Sequence, residues 1–260
     1  MKLTILGSSS ASPNPTRTSP GYILEVGKDQ ILLDSGSGVA QKIIQAKYDL
    51  LKIRYFFYTH THADHVTDLP YILFTSRWKY RKMPLTILGP KKFKNFFSII
   101  EKTFAPRLRK YKVNVVEMTN AEKKFLGFKV VTKKMSHSGK MFVPYAIGYR
   151  IESKNKVFVY AGDTAYCKNL IELAKDADCL LIEGGIPENS KKTGHFKPSD
   201  ATKIAENAGV KKLVLTHFSL EADNYDMKKQ AKKYFKGPII LAKDLMKINI
   251  WPDSEPVNIK

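Results

Sequence analysis

Tyr55-Phe56-Phe57-Tyr58-Thr59-His60-Thr61-His62-Ala63-Asp64-His65 joins an apolar strand to three imidazoles and a carboxylate packed into its last six residues. Histidines at i and i+2 can turn to one side of an extended segment. The Asp and His that follow can turn back across a tight bend toward a second ion. Imidazole and carboxylate are donors that zinc takes readily. Residue frequencies put a chance match at roughly one in ten thousand for a chain of this length, so the motif is specific. The remaining histidines are His137, His195 and His217. His137 follows a strand ending at Met135, and His217 follows Lys212-Leu213-Val214-Leu215-Thr216. Both stand just past an apolar strand, the same address as His60. Asp34 (Leu32-Leu33-Asp34-Ser35-Gly36), Asp163 (Tyr160-Ala161-Gly162-Asp163-Thr164) and Glu183 (Leu181-Ile182-Glu183-Gly184-Gly185) also end strands. Side chains at several strand ends can converge on one sheet edge.

Outward from that stretch, short runs rich in Val, Ile, Tyr and Phe predict strands over 2–6, 22–26, 30–34, 55–58, 85–88, 113–118, 128–135, 146–152, 156–160, 179–183, 212–216 and 239–242. Gly27-Lys28-Asp29 and Ser153-Lys154-Asn155 read as hairpin turns. Helical periodicity suits 39–48, 69–79, 91–104, 169–175, 199–208 and 226–235, with Pro198 as a start and Gly209 as a stop. No linker or internal repeat divides the chain, which predicts one domain over residues 1–260. Antiparallel hairpins followed by strand–helix alternation fit two mixed sheets packed together with helices outside.

Composition narrows the class. The 260 residues are 43% hydrophobic and 26% charged, enough to bury a sizeable core. No run nears the roughly 18 apolar residues of a membrane span. Leu3 to Leu6 is too short for the apolar part of a signal peptide. Cys167 and Cys179 make no disulfide framework, and with no export signal they read as reduced thiols in a cytoplasmic protein. Net charge is +20, and Arg77–Lys112 holds twelve Lys or Arg against Glu101 alone, a local +11. Such a field draws polyanions. It also suits an ordinary solvated surface. Trp78 and Tyr80, set among Arg77, Lys79, Arg81 and Lys82, are the better candidates for exposed contacts. The phenylalanines at 93, 96, 97 and 104 read more readily as buried helix faces.

These residues resemble the metallo-β-lactamase superfamily, and within it the ribonuclease Z-like branch. The resemblance runs from Leu6-Gly7-Ser8 through the His/Asp cluster to Thr216-His217-Phe218. Ala63-Asp64-His65 leading to Asp68-Leu69-Pro70, and Gly194-His195-Phe196-Lys197-Pro198, are similar to this branch rather than to the antibiotic-hydrolysing one. It implies an αββα sandwich with a two-zinc site at one edge of the sheets. Residue by residue, it implies His60, His62 and His137 on one zinc, Asp64, His65 and His217 on the other, and Asp163 bridging both. Asp34 would orient a liganding imidazole, His195 would serve the leaving group, and Glu183 would hold or tune His195. Manganese or iron suits the same donors. Two divalent cations outweigh two carboxylates and a shared hydroxide, and the residual positive charge suits an anionic phosphodiester.

The resemblance implies an RNA endonuclease with RNA as substrate, and relatives that are commonly homodimers. Two departures weaken transfer RNA 3′ processing. His137 and Asp163 lie too close in sequence for the arm with which many ribonuclease Z enzymes grip tRNA. The loop Pro13-Asn14-Pro15-Thr16-Arg17-Thr18-Ser19 keeps Arg17 as a substrate contact but lacks its Lys partner. Arg77, Trp78, Lys79, Tyr80 and Arg81 would then take over as RNA contacts. The same site serving a cyclic nucleotide or a lactone stays open, as does a nucleic-acid-binding protein with a vestigial centre.

Overall fold

The computed structural model describes residues 1–104, 111–137, 145–191 and 194–250. The first half forms β1 (Lys2–Gly7), β2 (Gly21–Val26), β3 (Asp29–Ser35), β4 (Tyr55–Phe57), β5 (Leu85–Gly89) and β6 (Val113–Glu117). The second forms β7 (Glu122–Phe125), β8 (Phe128–Lys134), β9 (Ile147–Ser153), β10 (Lys156–Tyr160), β11 (Cys179–Glu183), β12 (Leu213–Thr216) and β13 (Ile239–Leu241), and ends in β14 (Lys247–Asn249). Two seven-stranded sheets result, ordered β14-β1-β2-β3-β4-β5-β6 and β13-β12-β11-β10-β9-β8-β7.

Side-chain alternation sets the layers. Leu24, Leu33 and Phe57 enter the core between the sheets, while their neighbours Ile23, Leu32 and Phe56 enter an outer core. A strand apolar at every position is buried on both faces. Between the sheets Phe57 stacks on Tyr149 at 5.3 Å, and burying one such ring stabilises the fold by about 1.5–3 kcal/mol. Outside the first sheet lie α1 (Val39–Gln45), the single turn α2 (Ala63–Val66), α3 (Leu69–Trp78) and α4 (Phe93–Phe104). They close it with Ile43, Ile72, Leu73, Phe93 and Phe97. Against the second sheet lie α5 (Lys168–Ala174), α6 (Pro198–Asn207) and α7 (Met227–Ala231). This is the αββα sandwich.

Both sheets follow one plan that the sequence hides. Each has three antiparallel pairings (β14/β1, β1/β2, β2/β3; β7/β8, β8/β9, β9/β10) and then three parallel ones. The parallel runs are β3 to β6 and β10 to β13. Parallel strands send their carboxyl ends to one rim, where ligand sites of such sheets form. Asp34, His60, Asp163, Glu183 and His217 sit at or just past the ends of β3, β4, β10, β11 and β12.

Strands β7 and β14 are absent from the sequence expectations. Glu122-Lys123-Lys124-Phe125 is mostly charged, and it stands at a sheet edge, where lysines discourage further pairing. β14 is three residues long and pairs with β1 from the other end of the chain. The 226–235 helix is realised only over α7. The 39–48 helix stops at Gln45, because Lys47 turns left-handed at φ 65°. Residues 138–144, which follow His137, lie outside the described residues.

Candidate metal centre

Asp34 ends β3 with φ 54° and is fully buried. Its Oδ1 accepts the Thr59 backbone N–H at 2.8 Å. Its Oδ2 accepts the Thr59 hydroxyl at 2.8 Å, the Tyr160 hydroxyl at 2.6 Å and His65 Nδ1–H at 2.8 Å. A neutral ring that donates from Nδ1 presents Nε2 as a lone pair. His65 Nε2 is buried and lacks a hydrogen-bond partner. The loop carrying it seats tightly on β3: a Cβ at Gly36 would lie 1.8 Å from the Asp64 carbonyl oxygen, so only glycine allows the approach. Asp68 then accepts the Ala40 N–H at 2.7 Å and ties α1 to the start of α3.

Two sets of donors meet at the rim. In the first, His62 Nδ1 lies 3.0 Å from His60 Nε2 and 3.1 Å from His137 Nε2. In the second, His217 Nε2 is 3.3 Å from Asp64 Oδ2 and 3.2 Å from Asp163 Oδ2, and His65 Nε2 is 3.4 Å from oxygens of both carboxylates. Donors arranged tetrahedrally around a cation at zinc–nitrogen distances stand about 3.3 Å apart, so both sets fit. Burial pushes His60 far below the usual imidazole range and His137 down to about 4, leaving both rings neutral with lone pairs to give. Burial also works against charge on His65 and His217. There the facing carboxylates outweigh it, and both pKa values rise. In the second set these imidazoles and carboxylates hold protons between them that a divalent cation would displace.

His217 adopts φ 63° at the end of β12, and its carbonyl passes Gly185 so closely that a Cβ there would lie 2.1 Å away. Beside it stands His195, whose Nδ1–H donates to Glu183 Oε2 at 2.8 Å. Glu183 is buried, and its other oxygen accepts the Thr164 N–H at 2.6 Å. The Glu183 bond raises His195 to about 9, overcoming partial burial. Glu183 is itself raised, first by burial and then by Asp163. A cleft of about 400 Å³ opens over His62, Asp64, Asp163, His195 and His217.

The basic residues separate. Arg81 is buried, and its guanidinium donates to the carbonyls of Met83, Leu50 and Ile53, so it is no substrate contact but a clasp between loops. Arg17 lies over Phe218 and donates to Ser8, Ala242 and Asp223, which anchors the N-terminal loop beside His217; Ser10, Ala11 and Ser12 of that loop line the cleft, and Arg17 does not. Trp78 and Tyr80 are 73% and 67% exposed, Lys79 is exposed and Arg77 half-buried. Phe93, Phe97 and Tyr111 are buried, while Phe104 is exposed. Thr59 and Tyr160, which hold Asp34, escape sequence reasoning. Their only signal is adjacency to the rim.

No helix among the described residues is long and apolar enough to cross a membrane. The fold and the paired donor sets define a metal-dependent hydrolase. A beta-lactamase superfamily domain model matches residues 29–218. Ribonuclease Z of Ignicoccus hospitalis is 30% identical over 266 residues, spanning 84% of this chain and 88% of that protein. Ribonuclease Z of Archaeoglobus fulgidus is 27% identical over 304 residues, spanning 97% and 98%. The structure of human tRNase Z, short form, shares the fold at TM-score 0.80 and 23% identity, covering 97% of this chain and 100% of that one. The chain belongs to the metallo-β-lactamase superfamily, in its ribonuclease Z branch.

Proposed function

We propose that the chain is a cytoplasmic, zinc-dependent endoribonuclease. The observation that carries this reading is the Glu183–His195 pair, an acid–base dyad standing beside two donor sets in one cleft. Similarity to ribonuclease Z proteins supports RNA as the substrate, and the net charge of +20 supports attraction of a polyanion.

His60, His62 and His137 would hold one zinc and Asp64, His65 and His217 the other, with Asp163 shared. The pair would supply Lewis acidity toward the phosphodiester and its attacking water. The chain's own residues do the rest. Asp34 fixes the tautomer of His65. Asp64 orients the water by accepting one of its protons. His195 donates its Nε2 proton to the departing oxygen, while Glu183 holds Nδ1.

Elemental analysis combined with turnover of a structured RNA and of bis-p-nitrophenyl phosphate tests the assignment. His62→Ala and Asp163→Ala lose metal and turnover together. His195→Ala keeps its metal and slows by about 10²–10⁴. Metal loss in the His195 variant would place that residue among the ligands instead, and RNA left intact by fully loaded enzyme would sink the substrate reading.

A further inference from the structure

Helix α3 buries Leu69, Ile72, Leu73 and Ser76 against its sheet. On the surface it turns outward, Tyr71, Phe74 and Trp78 are 62%, 46% and 73% exposed, and Tyr80 follows at 67%. The Phe74 and Trp78 rings stack at 6.3 Å with an interplanar angle of 17°. A surface helix ordinarily carries polar residues on its outer face. A run of large rings held in water instead marks an interaction surface.

Charge decides what fits it. From Leu69 through Ile100 the chain carries seven cations and no carboxylate, and of these cations only Arg81 is drawn inside. A second copy docking by a twofold axis would set this face against itself, cation to cation. A polyanion with flat faces of its own meets both the rings and the charges. Position agrees. β4 delivers His60 to the rim, α2 carries Asp64 and His65, and α3 begins four residues later and leads away. Tyr71 and Trp78 are about 10 Å apart along the axis, which gives room for two or three stacked bases.

We propose that the outer face of α3, made of Tyr71, Phe74, Trp78 and Tyr80, is a stacking platform for unpaired nucleotides of the RNA strand whose cleavage site lies in the cleft. This rests on the RNA-cleaving reading above.

Fluorescence anisotropy with a labelled oligouridylate and a duplex RNA of equal length tests it, on wild type, Trp78→Ala, Trp78→Tyr and Phe74→Ala/Trp78→Ala. Thermal melts check that these exposed substitutions leave the fold intact. Trp78→Ala weakens single-strand binding by roughly tenfold, and the double variant weakens it further. Trp78→Tyr restores most of the affinity, and duplex binding moves by less than about twofold. Stacking releases no counterions, so the slope of log affinity against log salt stays that of wild type, whereas Lys79→Gln reduces it. Equal single-strand affinity across the series, with wild type still cutting RNA, overturns the platform alone. A wild type that neither binds nor cuts RNA overturns the endonuclease reading and the platform with it. A dimer that becomes monomeric on Trp78→Ala, by sedimentation, hands the face to a second copy and overturns the proposal.

Discussion

Replacing Asp34 with Asn keeps the side chain's shape, and asparagine is among the non-glycine residues best tolerated at the φ of 54° found there. What changes is the supply of acceptors. Four buried donors converge on the carboxylate: the Thr59 N–H and hydroxyl, the Tyr160 hydroxyl and His65 Nδ1–H. An amide offers one oxygen. If it takes the Oδ2 place, the amide NH₂ is driven against the Thr59 N–H, which cannot turn away. If it takes the Oδ1 place, the hydroxyls can rotate, but His65 must move its proton to Nε2 and lose the lone pair aimed at Asp64 and Asp163. The first arrangement leaves a buried donor unsatisfied and gives up charge-assisted bonds, a loss of about 2–4 kcal/mol. The second costs less in folding and falls on the metal, about 10–100-fold in affinity. Urea denaturation with chelator present reads the first quantity, and titration against a competing chelator reads the second. Asp34→Asn protein unchanged in both would show that Asp34 neither fixes the His65 tautomer nor braces the rim.

Glu183→Gln can keep a hydrogen bond to His195 but removes the charge that raises its pKa. The catalytic form is the protonated ring, present below that pKa and lost as pH rises through it. The alkaline limb of kcat/KM on bis-p-nitrophenyl phosphate therefore moves to lower pH in the variant, and an unmoved limb would deny Glu183 its tuning role. Arg81→Ala removes three guanidinium bonds to loop carbonyls and lowers stability by about 2–4 kcal/mol in urea, with poor rescue by Arg81→Lys because a point charge cannot span three carbonyls. Full stability with weakened RNA binding would return Arg81 to the substrate surface.

The donor residues were legible because metal chemistry draws on few residue types. His60, His137 and His217 stand just past strand ends, His62 and His65 follow in the turn after β4, His195 lies in the loop before α6, and the structure brings all six to one rim. The apolar strands that deliver them announce themselves by composition, since a strand buried on both faces has few polar positions to blur it. Strands β7 and β14 lack that signature. One is charged along an edge, and the other is three residues long and held by a partner more than two hundred positions away.

Cations were the hardest to place, and the reason is physical. Arg17, Arg77 and Arg81 look alike in sequence, yet the carbonyl oxygens that bury Arg81 belong to Leu50, Ile53 and Met83 and leave no mark in side-chain pattern. Backbone acceptors are present at every position, so only the path of the chain decides which arginine they enclose. Tyr160 is a similar case, its bond to Asp34 spanning 126 positions. A ligand must be a rare residue type and so reveals itself. The groups that aim the ligand can be ordinary ones, a tyrosine, a threonine or a backbone N–H, and become visible only once the two sheets face each other. The shared plan of the two sheets follows the same logic, because repeated pairing order needs only that apolar strands recur and not that any residue be repeated.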